Sequence, residues 1–320
     1  MDKGKKIYIA GHSGMVGSAI KRELVKSGYN NFVERTIEEL DLKNQRLTND
    51  FFEVEQPNIV IIAAAKVGGI LANNSLRAQF IYENLMIESN LIEASYRNGV
   101  EKLIFLGSSC IYPKFAPQPL KEEYLLSGLL EYTNEPYAIA KIAGIKLCEN
   151  YYRQYGSNFY SVMPTNLYGP YDNFDLNSSH VVPALLRKFH EAKVENRDDV
   201  VVWGTGSPMR EFLFVDDLAE ALVFLLEHFE ARQIYDEGIS HINIGSGEDL
   251  SISDLARLIA EVVGFTGKIK FDTTKPDGTP KKLLDVTRIN KMGWRAKTDL
   301  RDGLKLAYDW FINIYLQMKG

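Results

Sequence analysis

The 320 residues include 37 lysines and arginines against 42 aspartates and glutamates, a formal net charge of -5, with 45% hydrophobic and 25% charged residues. That balance suits a globular enzyme with a large core and argues against a nucleic-acid binder, whose phosphate contacts need a basic field. Two cysteines, Cys110 and Cys148, make no disulfide framework. The start Met1–Lys6 lacks a signal-type apolar run, and no stretch approaches the roughly 20 apolar residues of a bilayer span, so a cytoplasmic location off the membrane is expected.

In chain order, Lys6–Ala10 reads as a short strand, and a glycine loop then opens an amphipathic helix over about Met15–Gly28. Asn31–Val33 is a second strand and Asn58–Ala64 a third, whose unbroken apolar run suits burial on both faces of a parallel sheet. A helix over about Leu76–Asn98 precedes a fourth strand, Lys102–Leu106. Beyond a proline-rich loop, a long helix covers Tyr137–Tyr155 and a strand Phe159–Met163. Loop residues then gather over Pro164–Asn177 and Lys275–Pro280. This alternation predicts an α/β fold, a doubly wound, parallel, Rossmann-type sheet in residues 1–165. The chain is expected to return to it around 212–245, starting near Phe212–Phe229, while 166–320 otherwise form a smaller α/β substrate lobe.

Gly11-x-x-Gly14-x-x-Gly17 lies between the first strand and helix. Glycines there permit a tight turn and let the backbone approach a pyrophosphate held at the helix N-terminus. Arg35 stands 18 residues after Gly17, where an acidic residue would bind the 2′-hydroxyl of NAD and an arginine the 2′-phosphate of NADP. NADP(H) is therefore expected, although Glu34 precedes Arg35 and a one-residue slip would select NAD.

Tyr137 and Lys141, four apart on a helix, share one face. An ammonium beside a phenol favours the phenolate, and such a tyrosine exchanges a proton with a carbonyl or hydroxyl oxygen during hydride transfer. Ser108 follows the fourth strand, at the sheet edge where ligands bind, and can hydrogen-bond the same oxygen.

With these motifs the chain resembles the extended short-chain dehydrogenase/reductases along nearly its whole length. The segments that carry the likeness are Ala63-Ala64-Ala65-Lys66-Val67-Gly68-Gly69-Ile70, Gly107-Ser108-Ser109-Cys110-Ile111-Tyr112-Pro113, Asn134-Glu135-Pro136-Tyr137-Ala138-Ile139-Ala140-Lys141, Pro164-Thr165-Asn166-Leu167-Tyr168-Gly169-Pro170, Ser179-His180-Val181 and Pro208-Met209-Arg210-Glu211-Phe212. Cysteine directly after the paired serines, together with Ser-His-Val, narrows the resemblance to the branch acting on GDP-4-keto-6-deoxy-D-mannose. That branch epimerises C3 and C5, then reduces the C4 ketone with NADPH to give GDP-L-fucose.

The resemblance implies that Tyr137, Lys141 and Ser108 serve the ketone, with Cys110 the base and His180 the acid of epimerisation. Free cysteine titrates at roughly 8.5, so Cys110 needs a nearby positive charge to act as thiolate. The cofactor would be lined by Gly11, His12, Ser13, Gly14, Met15, Val16, Gly17 and Arg35, then Leu106, Gly107, Ser108, Ser109 and Lys141, and by Pro164, Thr165, Asn166, Leu167 and His180. Lys188, Arg210 and Asp277 would hold the GDP portion, with Trp203 nearby; a homodimer packing the Tyr137 helix on its partner is also implied, and no metal. Ser13 and Ile37 stand where such enzymes can carry further arginines. Cys148 reads as a packed core thiol, and His12, His190, His228 and His241 receive no chemical role.

Competing readings are a 4,6-dehydratase, which would carry threonine and two acidic residues in place of Ser108-Ser109-Cys110, and a plain 4-epimerase, which would lack the Cys110–His180 pair. A non-catalytic cofactor-sensing module would typically lose Tyr137 or Lys141.

Overall fold

A computed structural model describes residues 1–176, 178–275 and 277–319; Asn177, at the end of the first loop cluster, and Pro276, inside the second, lie outside the described residues. The apolar runs form a parallel six-stranded sheet. In chain order its strands are β1 (Ile7–Ala10), β2 (Phe32–Val33), β3 (Ile59–Ile62), β4 (Lys102–Leu106) and β5 (Phe159–Pro164), with a last strand, Ile242–Ile244, pairing beside β5. In space β1 pairs with β2 on one side and β3 on the other, so the order reverses at β1 and ligand space opens beyond the strand C-termini.

Strand residues alternate between two covered faces. Ile7, Ile9, Ile59, Ile61 and Ile104 pack under α1 (Met15–Lys26) and a second helix, Val215–His228. Tyr8, Val60, Ile62, Leu103 and Phe105 pack under α2 (Gln45–Glu55), α4 (Arg77–Arg97) and α5 (Glu135–Tyr155), with the short α3 (Ile70–Ser75) leading into α4. The chain thus comes back to the central layer in two pieces. Val215–His228 supplies a covering helix, and Ile242–Ile244 supplies the sixth strand.

Helix α2 has no counterpart in the sequence reading. Its only buried residues are Thr48, Phe51 and Phe52, so its apolar signal is short. Asn44 starts it by accepting a hydrogen bond from the Leu47 N–H at 3.2 Å, and left-handed Gln56 ends it.

The second lobe is built from β6 (Asn166–Tyr168), α6 (Val181–Val194), β7 (Asp199–Trp203) and β8 (Met209–Phe214). After α7 (Val215–His228), the short α8 (Arg232–Tyr235) and β9 (Ile242–Ile244) come β10 (Asp249–Ser251), α9 (Ile252–Val263), β11 (Lys268–Asp272), β12 (Lys281–Lys282), α10 (Thr287–Met292) and α11 (Leu300–Trp310). Leu186, Phe189, Val202, Ile259 and Phe311 form its separate core. β8 joins the lobes by pairing with β6, β10 and β12. The carboxylate of buried Glu211 on β8 accepts hydrogen bonds from the Gly247 N–H at 2.7 Å and the Leu284 N–H at 2.9 Å. Two backbone segments at the mouth of the cleft are thereby held by one side chain.

α4 and α5 pack closely over β4. At Gly144 of α5 an added methyl would run into the Phe105 ring. Alanine gains about 1 kcal/mol in helix propensity, but overpacking a core typically costs about 1–3 kcal/mol. Gly144→Ala is expected to lower stability by about 1–2 kcal/mol, read as a lower urea midpoint at unchanged m-value; an unchanged or higher midpoint would show that the ring yields.

Candidate active site

The turn after β1 takes a left-handed glycine, Gly11 at φ +86°, whose Cβ would lie 2.8 Å from the Ala64 amide nitrogen. A Cβ on Gly17 would collide with the Gly11 carbonyl, so α1 can approach the sheet only with glycine there. Gly14 caps α1 with no side-chain hydrogen bond, leaving the first helix N–H groups directed into the turn. His12 Nδ1 is buried there without a partner. The close backbone approach and free amides fit a dinucleotide pyrophosphate.

Arg35 lies just past β2, but its guanidinium is already engaged. It bonds the Glu55 carboxylate at 2.6 Å and the Glu34 carbonyl at 2.7 Å, and lies 5.5 Å from the Phe51 ring centroid. Helix α2, which supplies Glu55 and Phe51, therefore sets the position of this cation. Glu34 pairs with Lys21 at 2.8 Å, so both charged residues just past β2 already have partners of opposite sign.

At the end of β4 the backbone makes one tight turn, Ser109–Ile111. Ser108 starts it, its hydroxyl accepting from the Cys110 N–H at 3.5 Å. Cys110 is buried, which pushes its thiol up; Lys282 and then the Ser108 hydroxyl and Lys141 pull it down. Facing this turn, α5 presents Tyr137 and Lys141. Burial raises the Tyr137 phenol well above its ordinary value, nearby Cys110 and Glu88 add to that, and the Ser108 hydroxyl acts against it. Lys141 Nζ donates to the Leu106 carbonyl at 2.9 Å and lies 5.9 Å from the Tyr137 ring centroid. The ammonium is thus turned to the strand end, and the phenol keeps its proton.

The second lobe closes the cleft opposite. His180 starts α6, open to the cleft yet surrounded by protein; burial, then Lys282, depresses its imidazole pKa. The sequence reading did not single out Lys282. It lies on β12, paired with Arg210 of β8, and lines a narrow crevice with Cys110, Glu131 and Thr279. Among the groups around Cys110 it acts most strongly against the upward push of burial, although burial lowers its own pKa, and in sequence it is concealed beside an equally basic Lys281.

Lys188 lies 5.0 Å from the Trp203 ring centroid, and Lys275 lies 5.5 Å from the same ring. Asp277 accepts from the Thr205 N–H at 2.9 Å and the Thr205 hydroxyl at 2.7 Å, closing the loop after β7. Arg210 is held back by its bond to the Met209 carbonyl at 2.8 Å; burial lowers its pKa and Asp277 opposes that. Two lysines thus lie by one tryptophan face, with Arg210 near the Asp277 that closes the adjoining loop, side-chain types suited to an aromatic base and its phosphates. Pro164 ends β5, Thr165 links it to β6, and Asn166 and Leu167 begin β6, with the Thr165 N–H bonded to the Ile244 carbonyl at 3.0 Å.

A doubly wound sheet with a serine and a cysteine after one strand, faced by a tyrosine–lysine pair on the next helix, defines an oxidoreductase or epimerase of the short-chain type, and the chain belongs to the NAD dependent epimerase/dehydratase family, whose model matches residues 7–245. It is 57% identical over 320 residues to GDP-L-fucose synthase of Escherichia coli strain K12, covering 99% of both chains. It is 58% identical over 311 residues to GDP-L-fucose synthase 1 of Arabidopsis thaliana, covering 97% of this chain and 94% of that one. Among solved structures it is similar to a GDP-mannoheptose C4 reductase from Campylobacter jejuni with NADP bound, at TM-score 0.90 and 42% identity, covering 98% of this chain and 100% of that one. The family resemblance read from the sequence is borne out.

If the Arg35 guanidinium receives the 2′-phosphate, Arg35→Ala lowers the kcat/KM preference for NADPH over NADH by about ten- to a hundredfold, the worth of a charged hydrogen bond. Steady-state kinetics with both cofactors check this, and an unchanged ratio would remove Arg35 from cofactor selection.

Proposed function

We propose that the protein converts GDP-4-keto-6-deoxy-D-mannose to GDP-L-fucose, inverting C3 and C5 and then reducing the C4 ketone. The observation that carries this reading is the meeting of Ser108 and Cys110, on one turn after β4, with Tyr137 and Lys141 on one face of α5. Neither position 109 nor 110 is acidic, which speaks against the carboxylate chemistry of a dehydratase.

Protons beside a ketone are acidic because the enolate oxygen takes the charge, and the Ser108 hydroxyl and the Tyr137 phenol hydrogen-bond that oxygen. Cys110 removes the C3 and C5 protons as thiolate, a form that burial disfavours and Lys282 favours. His180 returns a proton from the opposite face. Because burial depresses its pKa, its protonated form is lost at lower pH than for a free imidazole, and proton return weakens as pH rises. The Gly11–Gly17 turn would hold NADPH, which when bound would supply the hydride for C4. Tyr137 gives its proton to the C4 oxygen, a task suited to a phenol that burial keeps neutral. Lys188, Arg210 and Trp203 hold the GDP portion, with Asp277 fixing the loop beside them.

Among the described residues no helix is long and apolar enough to cross a membrane. The same reading makes the protein a cytoplasmic homodimer, packing α5 on its counterpart; Ile139 is exposed on the outer face of that helix.

Two variants separate the half-reactions. Cys110→Ser is expected to block exchange of the C3 and C5 hydrogens with deuterated solvent while NADPH still binds, because serine keeps the volume but does not ionise near neutral pH. Tyr137→Phe is expected to slow ketone reduction by about 10²–10⁴-fold. Mass spectrometry of exchange and NMR of product configuration check both. Normal exchange in Cys110→Ser would return that residue to a packed core thiol.

A further inference from the structure

A charged side chain that the two-step scheme does not use lies behind the site. Glu88 is on α4, facing α5, and is only 1% exposed. Neither of its oxygens completes a hydrogen bond. An isolated ionised carboxylate in such a place costs several kcal/mol, so a buried carboxyl without a purpose is expected to be replaced by an apolar residue.

Its surroundings name the purpose. Tyr137, Lys141, Gly144 and Cys148 recur at positions 0, 4, 7 and 11 along α5, which is one helix face. Glu88 acts electrostatically on Tyr137, Lys141 and Cys148, and the Gly144 amide is its nearest backbone donor. No other charge faces it from α4 or from the sheet. On β5, below, the neighbour of Cys148 is uncharged Ser161. Lys141 in turn meets Glu88 from α4, Cys110 from the turn after β4, the Phe105 ring at 4.5 Å and the Leu106 carbonyl at 2.9 Å. Among the described residues Glu88 is therefore the sole carboxylate facing this buried ammonium.

We propose that Glu88 is a positioning residue for the reductive step, a carboxyl group behind α5 that keeps Lys141 in its ammonium form as pH rises. This rests on the Tyr137–Lys141 assignment above. Burial drives both groups toward neutrality, the carboxyl up and the ammonium down, while each favours the charged form of the other. At acid pH Glu88 holds its own proton, and Lys141 is charged without help. Toward alkaline pH Glu88 ionises, and its negative charge then holds the Lys141 proton where burial alone would release it. The pair widens the pH range over which a cation stands beside the Tyr137 phenol.

The test is single-turnover NADPH oxidation as a function of pH, with deuterated NADPH used to hold conditions in which hydride transfer limits the rate. Glu88→Gln keeps the shape and removes the charge. Its alkaline limb is expected to move to lower pH, with reduction about tenfold slower than the unsubstituted protein near pH 9 and the two profiles converging near pH 6.5, tenfold being one pH unit of ammonium lost. Glu88→Asp keeps the charge and is expected to keep the limb. If Glu88→Gln lowers the rate equally at every pH, or if Glu88→Asp moves the limb as far as Glu88→Gln does, Glu88 serves packing alone and the proposal falls. Lys141→Met separates the two readings. A slow Lys141→Met beside an unmoved Glu88→Gln limb overturns only the role of Glu88, whereas a Lys141→Met that reduces at the normal rate overturns the Tyr137–Lys141 assignment as well.

Discussion

The hydrogen bond from Lys141 Nζ to the Leu106 carbonyl, 2.9 Å long, ties the active helix to the end of the strand on which the chemistry stands. β4 ends at Leu106, and Gly107-Ser108-Ser109-Cys110 follow at once, so the same anchor fixes the distance from Ser108 and Cys110 to Tyr137 one helical turn away. The bond is possible only because α5 lies close to the sheet. That closeness depends on Gly144, where the Phe105 ring takes the space of a side chain. The same ring then lies 4.5 Å below the Lys141 ammonium and accommodates it as a cation–π partner.

Burial dominates the electrostatics of the site. It raises the Cys110 thiol and the Tyr137 phenol and lowers Lys141, His180 and Lys282, so each group is biased toward its neutral form. For the phenol this bias serves the reaction, since reduction needs a proton donor. For the thiol it opposes the proposed role, and Lys282 from the other lobe acts against that bias. The proposed base thus belongs to the nucleotide-binding domain and the cation beside it to a strand of the bridging sheet. Glu211, through its bonds to Gly247 and Leu284, fixes the backbone just after that strand.

The central sheet was legible because its strands are buried on both faces: Ile59–Ile62 and Lys102–Leu106 have no exposed position, and a continuous apolar run is the sequence mark of that burial. β2 was located although only Phe32 and Val33 pair, since its place follows from the first crossover. α2 was not legible, its buried surface being two phenylalanines and a threonine. That omission hid Glu55 and with it the engagement of Arg35. Tyr137, Lys141 and Ser108 could be paired from order and spacing along one helix and one strand end, whereas Cys110 was singled out only by the family resemblance. Lys282 could not, because its contact with Cys110 spans 172 residues and neither composition nor periodicity marks one lysine of a Lys281–Lys282 pair. Glu88 was hidden differently. α4 carries Glu83, Glu88 and Glu93, and only the packing against α5 distinguishes the buried one from two that form ion pairs near the surface, with Lys66 and Arg97.

Helix α5 therefore carries two messages on one face. Its small and apolar residues, Ala138, Ala140, Ile145 and Cys148, specify close packing, while Tyr137 and Lys141 occupy the same stripe and specify chemistry. A polar pair in such a stripe would ordinarily destabilise the interface, because the lysine loses water and gains one carbonyl. The partners that face it come from three elements: the Leu106 carbonyl from β4, the Phe105 ring beneath, and the Glu88 carboxyl from α4, which favours the ammonium once it ionises. Each partner belongs to the scaffold, so the surroundings of Lys141 and, in the proposed reaction, the competence of Tyr137 depend on how α4, α5 and β4 pack. The core of the nucleotide-binding domain and the reductive half of the active site are one structure, and a substitution between these two helices acts on both.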